Sequence, residues 1–172
     1  ALPPLVTVTP KDRSKKTIVI DPGHGGKDSG AVGNGYLEKE IVLSVSAQFA
    51  ERLRAMGYTV HMTRSNDTFI ELKDRTKFAN DKEADLFISL HTNAHKNNRA
   101  YGIETYFLNL ATDDEAIRVA AMENATSRKN ISDLQTILTD LMQNTKINES
   151  ARLASFVQCS MNENLRKRYD LI

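Results

Sequence analysis

The sequence has no tryptophan and a single cysteine, Cys159. A lone thiol makes no disulfide within the chain and no multi-cysteine zinc site. No apolar run approaches the ~20 residues that a membrane-spanning helix needs. Neither sign of charge dominates: 23 Lys and Arg stand against 22 Asp and Glu, a net charge of +1. That balance offers no broad field for nucleic acid or anionic lipid. Proline is scarce, and three of the four lie in the stretch 1–10. Glycine is scarce too, yet six of the eight fall between Asp21 and Gly35. What remains is ordinary for a folded chain, 40% apolar and 26% charged over 172 residues. Collagen-like, low-complexity and disordered classes are excluded. The length suits one domain with a real core.

Residues 1–16, ALPPLVTVTPKDRSKK, read as a linker or extended arm. The start at Ala1, with no signal-peptide pattern, is the expected mark of a processed or cloned piece of something longer. Residues 17–172 then read as a catalytic domain. Thr17 to Ile20 is a β-branched run that suits a strand buried on both faces. After the glycine-rich stretch, residues 39–56 carry Ile41, Val42, Val45, Phe49, Leu53 and Met56 at helical spacing, with Gly57 as the stop. Tyr58 to Thr63 is a second strand. Residues 71–82 form a polar helix with Leu72, Thr76, Phe78 and Ala79 available to pack. Leu86 to Leu90 is a third strand, 92–101 a polar loop, and Ile103 to Leu108 a fourth strand. Strands alternating with helices imply βαβ units and a covered parallel sheet. The fold class is α/β: three layers, α/β/α, around a mostly parallel twisted sheet. The remainder is helical by pattern, with an acidic first turn at Asp113 to Glu115.

In an open parallel sheet, ligands bind outside the carboxyl ends of the strands. His24, in DPGHGG, follows the first strand, and His91, in SLHTNA, ends the third. Both belong on one edge. His61 lies inside a strand and His95 in the loop beyond. Glu38 stands at the start of the long helix, on that same edge, where a helix end favours a carboxylate. Glu40 is the fallback if the register differs. Two imidazoles and one carboxylate form a zinc-binding set that leaves a position for water. The glycines do not make a phosphate loop, because neither G-x-G-x-x-G nor the Walker pattern is completed. Their use is steric: sharp bends beside His24 and room for metal and substrate. No G-x-S-x-G elbow supports a serine nucleophile. Acceptors for the imidazole N–H groups that do not face the metal are expected at Asp21 or Asn93.

Five motifs in order, IVIDPGHGGKDSGAVG, LEKEIVLSVS, VHMTRSNDTFIELKDRTKFAN, ADLFISLHTNA and GIETYFL, span about Thr17 to Leu108. Together they resemble the zinc-dependent N-acetylmuramoyl-L-alanine amidases of the cell-wall amidase 3 type. The resemblance implies one zinc ion, with His24, Glu38 and His91 as its ligands. It implies hydrolysis of the amide between N-acetylmuramic acid and L-alanine in peptidoglycan, and export to the periplasm or cell surface. It also implies a catalytic glutamate on a later strand. That strand is expected beyond residue 172, so the domain reads as truncated; Glu104 reads as structural or second-shell. Residues around 112–168 are similar to a helical insertion of some members, and 112–150 could cover the zinc until an activator protein displaces it. The alternatives are a non-catalytic peptidoglycan-binding fragment and another zinc peptidase.

Overall fold

The computed structural model describes residues 16–92, 102–107 and 146–169. The chain divides into two compact units, Ala1–Lys96 and Asn97–Ile172. In the first, β1 (Thr17–Pro22) is the central strand. It pairs in parallel with β4 (Thr59–Met62) on one side and β5 (Leu86–Leu90) on the other. Every residue from Ile18 to Pro22 is buried, as a β-branched run covered on both faces requires. Alternation along β1 sends Ile18 and Ile20 to one face and Val19 and Asp21 to the other. Ile18, Ile20 and Val60 pack against Ala50 of α1 (Glu38–Ala55), with Phe49, Leu53, Leu86, Ile88 and Leu90 around them. On the opposite face, Arg75 of α2 (Leu72–Asp81) reaches Asp21, which sets α2 against that side. Helices thus cover both faces of a parallel sheet, an α/β arrangement.

Between β1 and α1 the glycine-rich stretch forms a small hairpin, β2 (Val32–Gly33) and β3 (Tyr36–Leu37). Its turn residues Asn34 and Gly35 have φ of 51° and 79°, the left-handed pair of a type I′ turn. Helix α1 starts with no side-chain cap. The loop supplies the acceptors instead: the Glu38 amide donates to the Ala31 carbonyl and the Lys39 amide to that of Ser29. The helix stops before Gly57, whose φ is 91°.

Both helix faces differ from the apolar stripes expected of them. On α1 the buried positions are Glu38, Val42, Ser46 and Ala50, while Val45 and Met56 are about half exposed at 49% and 52%. Small side chains at Ser46 and Ala50 let the helix backbone approach β1, so the contact line runs through them. On α2 the buried residues are Arg75 and Ala79; Leu72 and Thr76 are exposed. Hydrogen bonding to the sheet edge, described below, overrides hydropathy at Arg75.

In the second unit, residues 102–107 form no strand, which corrects the fourth strand expected from Ile103. A helix side chain bonds this segment instead. Gln158 of α3 (Lys146–Tyr169) donates to the Ile103 carbonyl at 2.6 Å and accepts from the Thr105 hydroxyl at 2.8 Å. The arm 1–15, Asn93, His95 and the proposed covering segment up to residue 145 lie outside the described residues.

Candidate metal centre

The register of β1 with β5 places Pro22 beside Leu90, so the chain leaves both strands at one level. The Gly23 amide extends the pairing by donating to the Leu90 carbonyl at 3.0 Å. His91 follows directly on one strand, and His24 follows Gly23 on the other. The two rings meet edge to face, with centroids 4.9 Å apart. Glu38, buried at the first position of α1, completes the group. His24 Nε2 lies 3.2 Å from Oε2 of Glu38, and His91 Nδ1 lies 3.2 Å from Oε1. The two imidazole nitrogens are themselves 3.2 Å apart.

That spacing fits a divalent ion. Tetrahedral bonds of ~2.0–2.1 Å place neighbouring ligand atoms roughly 3.3 Å apart. The protonation pattern fits as well. Asp28 pairs with Nδ1 of His24 at 2.9 Å, which turns Nε2 of the same ring toward Glu38. The Glu38 oxygens accept from the amides of Ala31 at 2.8 Å and Thr92 at 2.7 Å. Burial would raise the Glu38 pKa, but hydrogen bonds from His24, His91 and these two amides outweigh it and hold the carboxyl well below the usual carboxylate range. Asp28 follows the same pattern more mildly: burial pushes its pKa up, and bonds from His24 and the Gly30 amide bring it below its ordinary value. The imidazole nitrogens and the fixed negative charge of Glu38 therefore converge on one point.

Two glycines make this packing possible. A Cβ on Gly23 would fall onto the His91 ring. A Cβ on Gly30 would lie 2.5 Å from Cδ2 of His24 and 2.7 Å from Oε2 of Glu38. Gly30 also has a φ of 64°, a conformation that L side chains resist. His24 itself sits at a φ of 57°, so its backbone is held in place by its surroundings. Arg75 supplies part of that hold. It donates to the carbonyls of Pro22 at 2.9 Å and His24 at 2.8 Å while pairing with the Asp21 carboxylate at 2.8 Å.

Residues 18–171 match the family described as N-acetylmuramoyl-L-alanine amidase. The chain belongs to this amidase family. N-acetylmuramoyl-L-alanine amidase AmiA of Salmonella typhimurium is 36% identical over 161 residues, covering 87% of this chain and 55% of that protein. LytC of Bacillus subtilis, of the same description, is 48% identical over 92 residues, or 54% of this chain and 18% of LytC. The catalytic domain of the amidase CwlV from Bacillus (Paenibacillus) polymyxa superposes with a TM-score of 0.53 at 41% identity, over 56% of each chain. An amidase from Clostridium difficile 630 gives 0.54 at 42% identity, over 58% of this chain and 56% of that one. The chain spans about half the length of AmiA and less of LytC.

In this amidase-family chain the three residues singled out as ligands, His24, Glu38 and His91, are brought together, with one ligand atom from each inside 4.8 Å. Glu40 is exposed on the far side of the first turn, and His61 is a half-buried residue of β4. Asp21, one of the two imidazole acceptors expected from the sequence, has other partners. Its carboxylate takes bonds from Thr63 at 2.6 Å, Ser89 at 2.8 Å and Arg75. The reason is strand alternation, which points Asp21 to the α2 face. Glu104 belongs to the second unit, where it accepts a bond from the Tyr106 hydroxyl at 2.7 Å. Asn93 lies outside the described residues. The sequence reading missed Asp28, Arg64, Arg75 and the amides of Ala31 and Thr92. The signal for Arg75 was its place four residues before Ala79 on one helix face; backbone amides leave no trace in residue types.

Proposed function

We propose that this chain is the catalytic part of a zinc-dependent hydrolase that cleaves the amide between N-acetylmuramic acid and L-alanine in peptidoglycan. The observation that carries the reading is the convergence of His24, Glu38 and His91 on one point, in a chain of the N-acetylmuramoyl-L-alanine amidase family. The chemistry such an ion supplies is polarisation of the scissile carbonyl and a water acidified towards a pKa of ~7. The rest falls to the protein. Glu38 keeps its charge because two imidazoles and two amides hold its oxygens. Asp28 fixes the His24 tautomer that presents Nε2. The carboxylates around the loop are all committed, Glu38 and Asp28 to the histidines and Asp67 to Lys39, so the general base is assigned to none of them. A peptidoglycan hydrolase works outside the cytoplasm, in the periplasm or at the cell surface, and no described helix is long and apolar enough to cross a membrane.

The test has two parts. His24→Ala and His91→Ala each abolish stoichiometric zinc, measured by elemental analysis after dialysis; zinc retained by both variants sinks the site. Purified cell wall treated with the zinc-loaded protein releases stem peptides with a free L-alanine amine. Cleavage within the stem peptide instead identifies a zinc peptidase, and wall binding without release identifies a binding module.

A further inference from the structure

Arg64, just past β4, is almost fully buried, with 3% of its surface exposed. Its four hydrogen bonds all end on backbone carbonyls. Nε donates to Pro22 at 2.9 Å and Nη1 to Asn66 at 3.1 Å. Nη2 donates to two carbonyls at once, those of Gly23 at 2.6 Å and Lys39 at 2.9 Å. Gly23 immediately precedes His24, and Lys39 immediately follows Glu38. One nitrogen atom therefore ties together the two segments that carry two of the three proposed ligands.

We propose that Arg64 is a positioning residue of the metal centre: its guanidinium sets the distance between the His24 loop and the start of the Glu38 helix. This rests on the zinc reading above. A guanidinium is a rigid planar fork, so the carbonyls it binds are held at fixed mutual angles. Among the described residues no carboxylate bonds this buried cation directly; burial and the nearby Arg75 charge oppose its charged form, while Asp67 and Asp21 act on it only through space. Stability alone is a poor account of it; geometry is a better one. The loop also wraps closely around this side chain, because a Cβ on Gly25 would come within 3.1 Å of Arg64 Cδ and Nε. Lysine would keep the charge but lose the fork. Its single ammonium cannot reproduce three directed contacts to Pro22, Gly23 and Lys39.

The experiment compares zinc affinity, by chelator competition, and the visible spectrum of the cobalt-substituted protein across four full-length chains. These are wild type, Arg64→Lys, Arg64→Met and Val60→Ala. Val60 lies in the apolar core between β1 and α1 and touches no proposed ligand, so its truncation lowers stability without altering the site. Arg64→Lys is expected to bind zinc about 10- to 100-fold more weakly and to shift the cobalt bands. Val60→Ala is expected to keep both at wild-type values despite a lower Tm. Arg64→Met is expected to follow Arg64→Lys; should it fail to fold, Arg64→Lys carries the comparison. Wild-type affinity and an unchanged cobalt spectrum in Arg64→Lys overturn the proposal, as does an equal loss in Val60→Ala. A wild-type chain that takes up no zinc overturns the metal reading instead, and the two failures are thereby distinguished.

Discussion

Gly30 and Gly35 offer a matched pair of perturbations. Both have positive φ, 64° and 79°. Alanine at either position meets the same backbone penalty, about 1–2 kcal/mol for an L residue in the left-handed region. Their surroundings differ completely. Nothing lies within 4 Å of a Cβ on Gly35, whereas one on Gly30 would stand 2.5 Å from His24 Cδ2 and 2.8 Å from Glu38 Cβ. Carbon atoms pack at about 3.5–4.0 Å, so roughly 1 Å of movement must be found. The Glu38 carboxylate can yield only by lengthening its bonds from the Ala31 and Thr92 amides, 2.8 and 2.7 Å long. A metal site tolerates ligand errors of only about 0.2 Å. Gly30→Ala is therefore expected to lose at least about 100-fold in zinc affinity, about 2.8 kcal/mol at 1.4 kcal/mol per tenfold. Gly35→Ala is expected to lose stability alone. Denaturant unfolding of the zinc-free proteins measures the shared backbone term, and chelator competition measures affinity. Dissociation constants for the two variants within about threefold of each other would refute the steric reasoning.

Other outcomes follow from the same geometry. Arg75→Met strands the Asp21 carboxylate, whose side chain is 4% exposed, and costs about 3–5 kcal/mol in urea unfolding; adding Asp21→Asn should recover part of that loss, and no recovery would place the energy elsewhere. Ser46→Ala removes a fully buried hydroxyl that has no hydrogen-bond partner among the described residues, and is expected to be neutral or to stabilise by about 1 kcal/mol, read as a rise in Tm. Glu38 and Asp28 both have lowered pKa values in the fold, so each adds stability above its unfolded pKa and loses it only as pH falls through the folded value. Zinc affinity is expected to fall as the pH drops, because protons compete with the ion for the two imidazoles. A chelator-competition affinity that does not change with pH would contradict this assignment.

Periodicity made the frame of the first unit legible. The β-branched run of β1, the glycine stop at Gly57 and the mostly apolar run of β5 each have one strong local reading, and the element bounds agree within a residue or two. That His24, Glu38 and His91 come together was legible because strand ends in a parallel sheet fix which loops share an edge. What escaped was anything settled by backbone groups. The β2–β3 hairpin hides in a glycine-rich stretch, although Asn34-Gly35 is a strong turn signal. Arg64 and Arg75 look like surface charge until the unpaired carbonyls of the loop are counted. The segment from Ile103 alternates like a strand, yet the described residues assign it to none, and Gln158 bonds its Ile103 carbonyl.

The parallel alignment of β1 with β5 has a practical consequence for handling the protein. A slip of one residue between these strands would carry His91 about 3.3 Å along the sheet and turn its ring to the opposite side. Misthreaded molecules cannot bring His91 and His24 together. Under the metal reading proposed above, the fraction of a preparation that loads an ion counts correctly assembled molecules, and a simple titration would grade refolded batches.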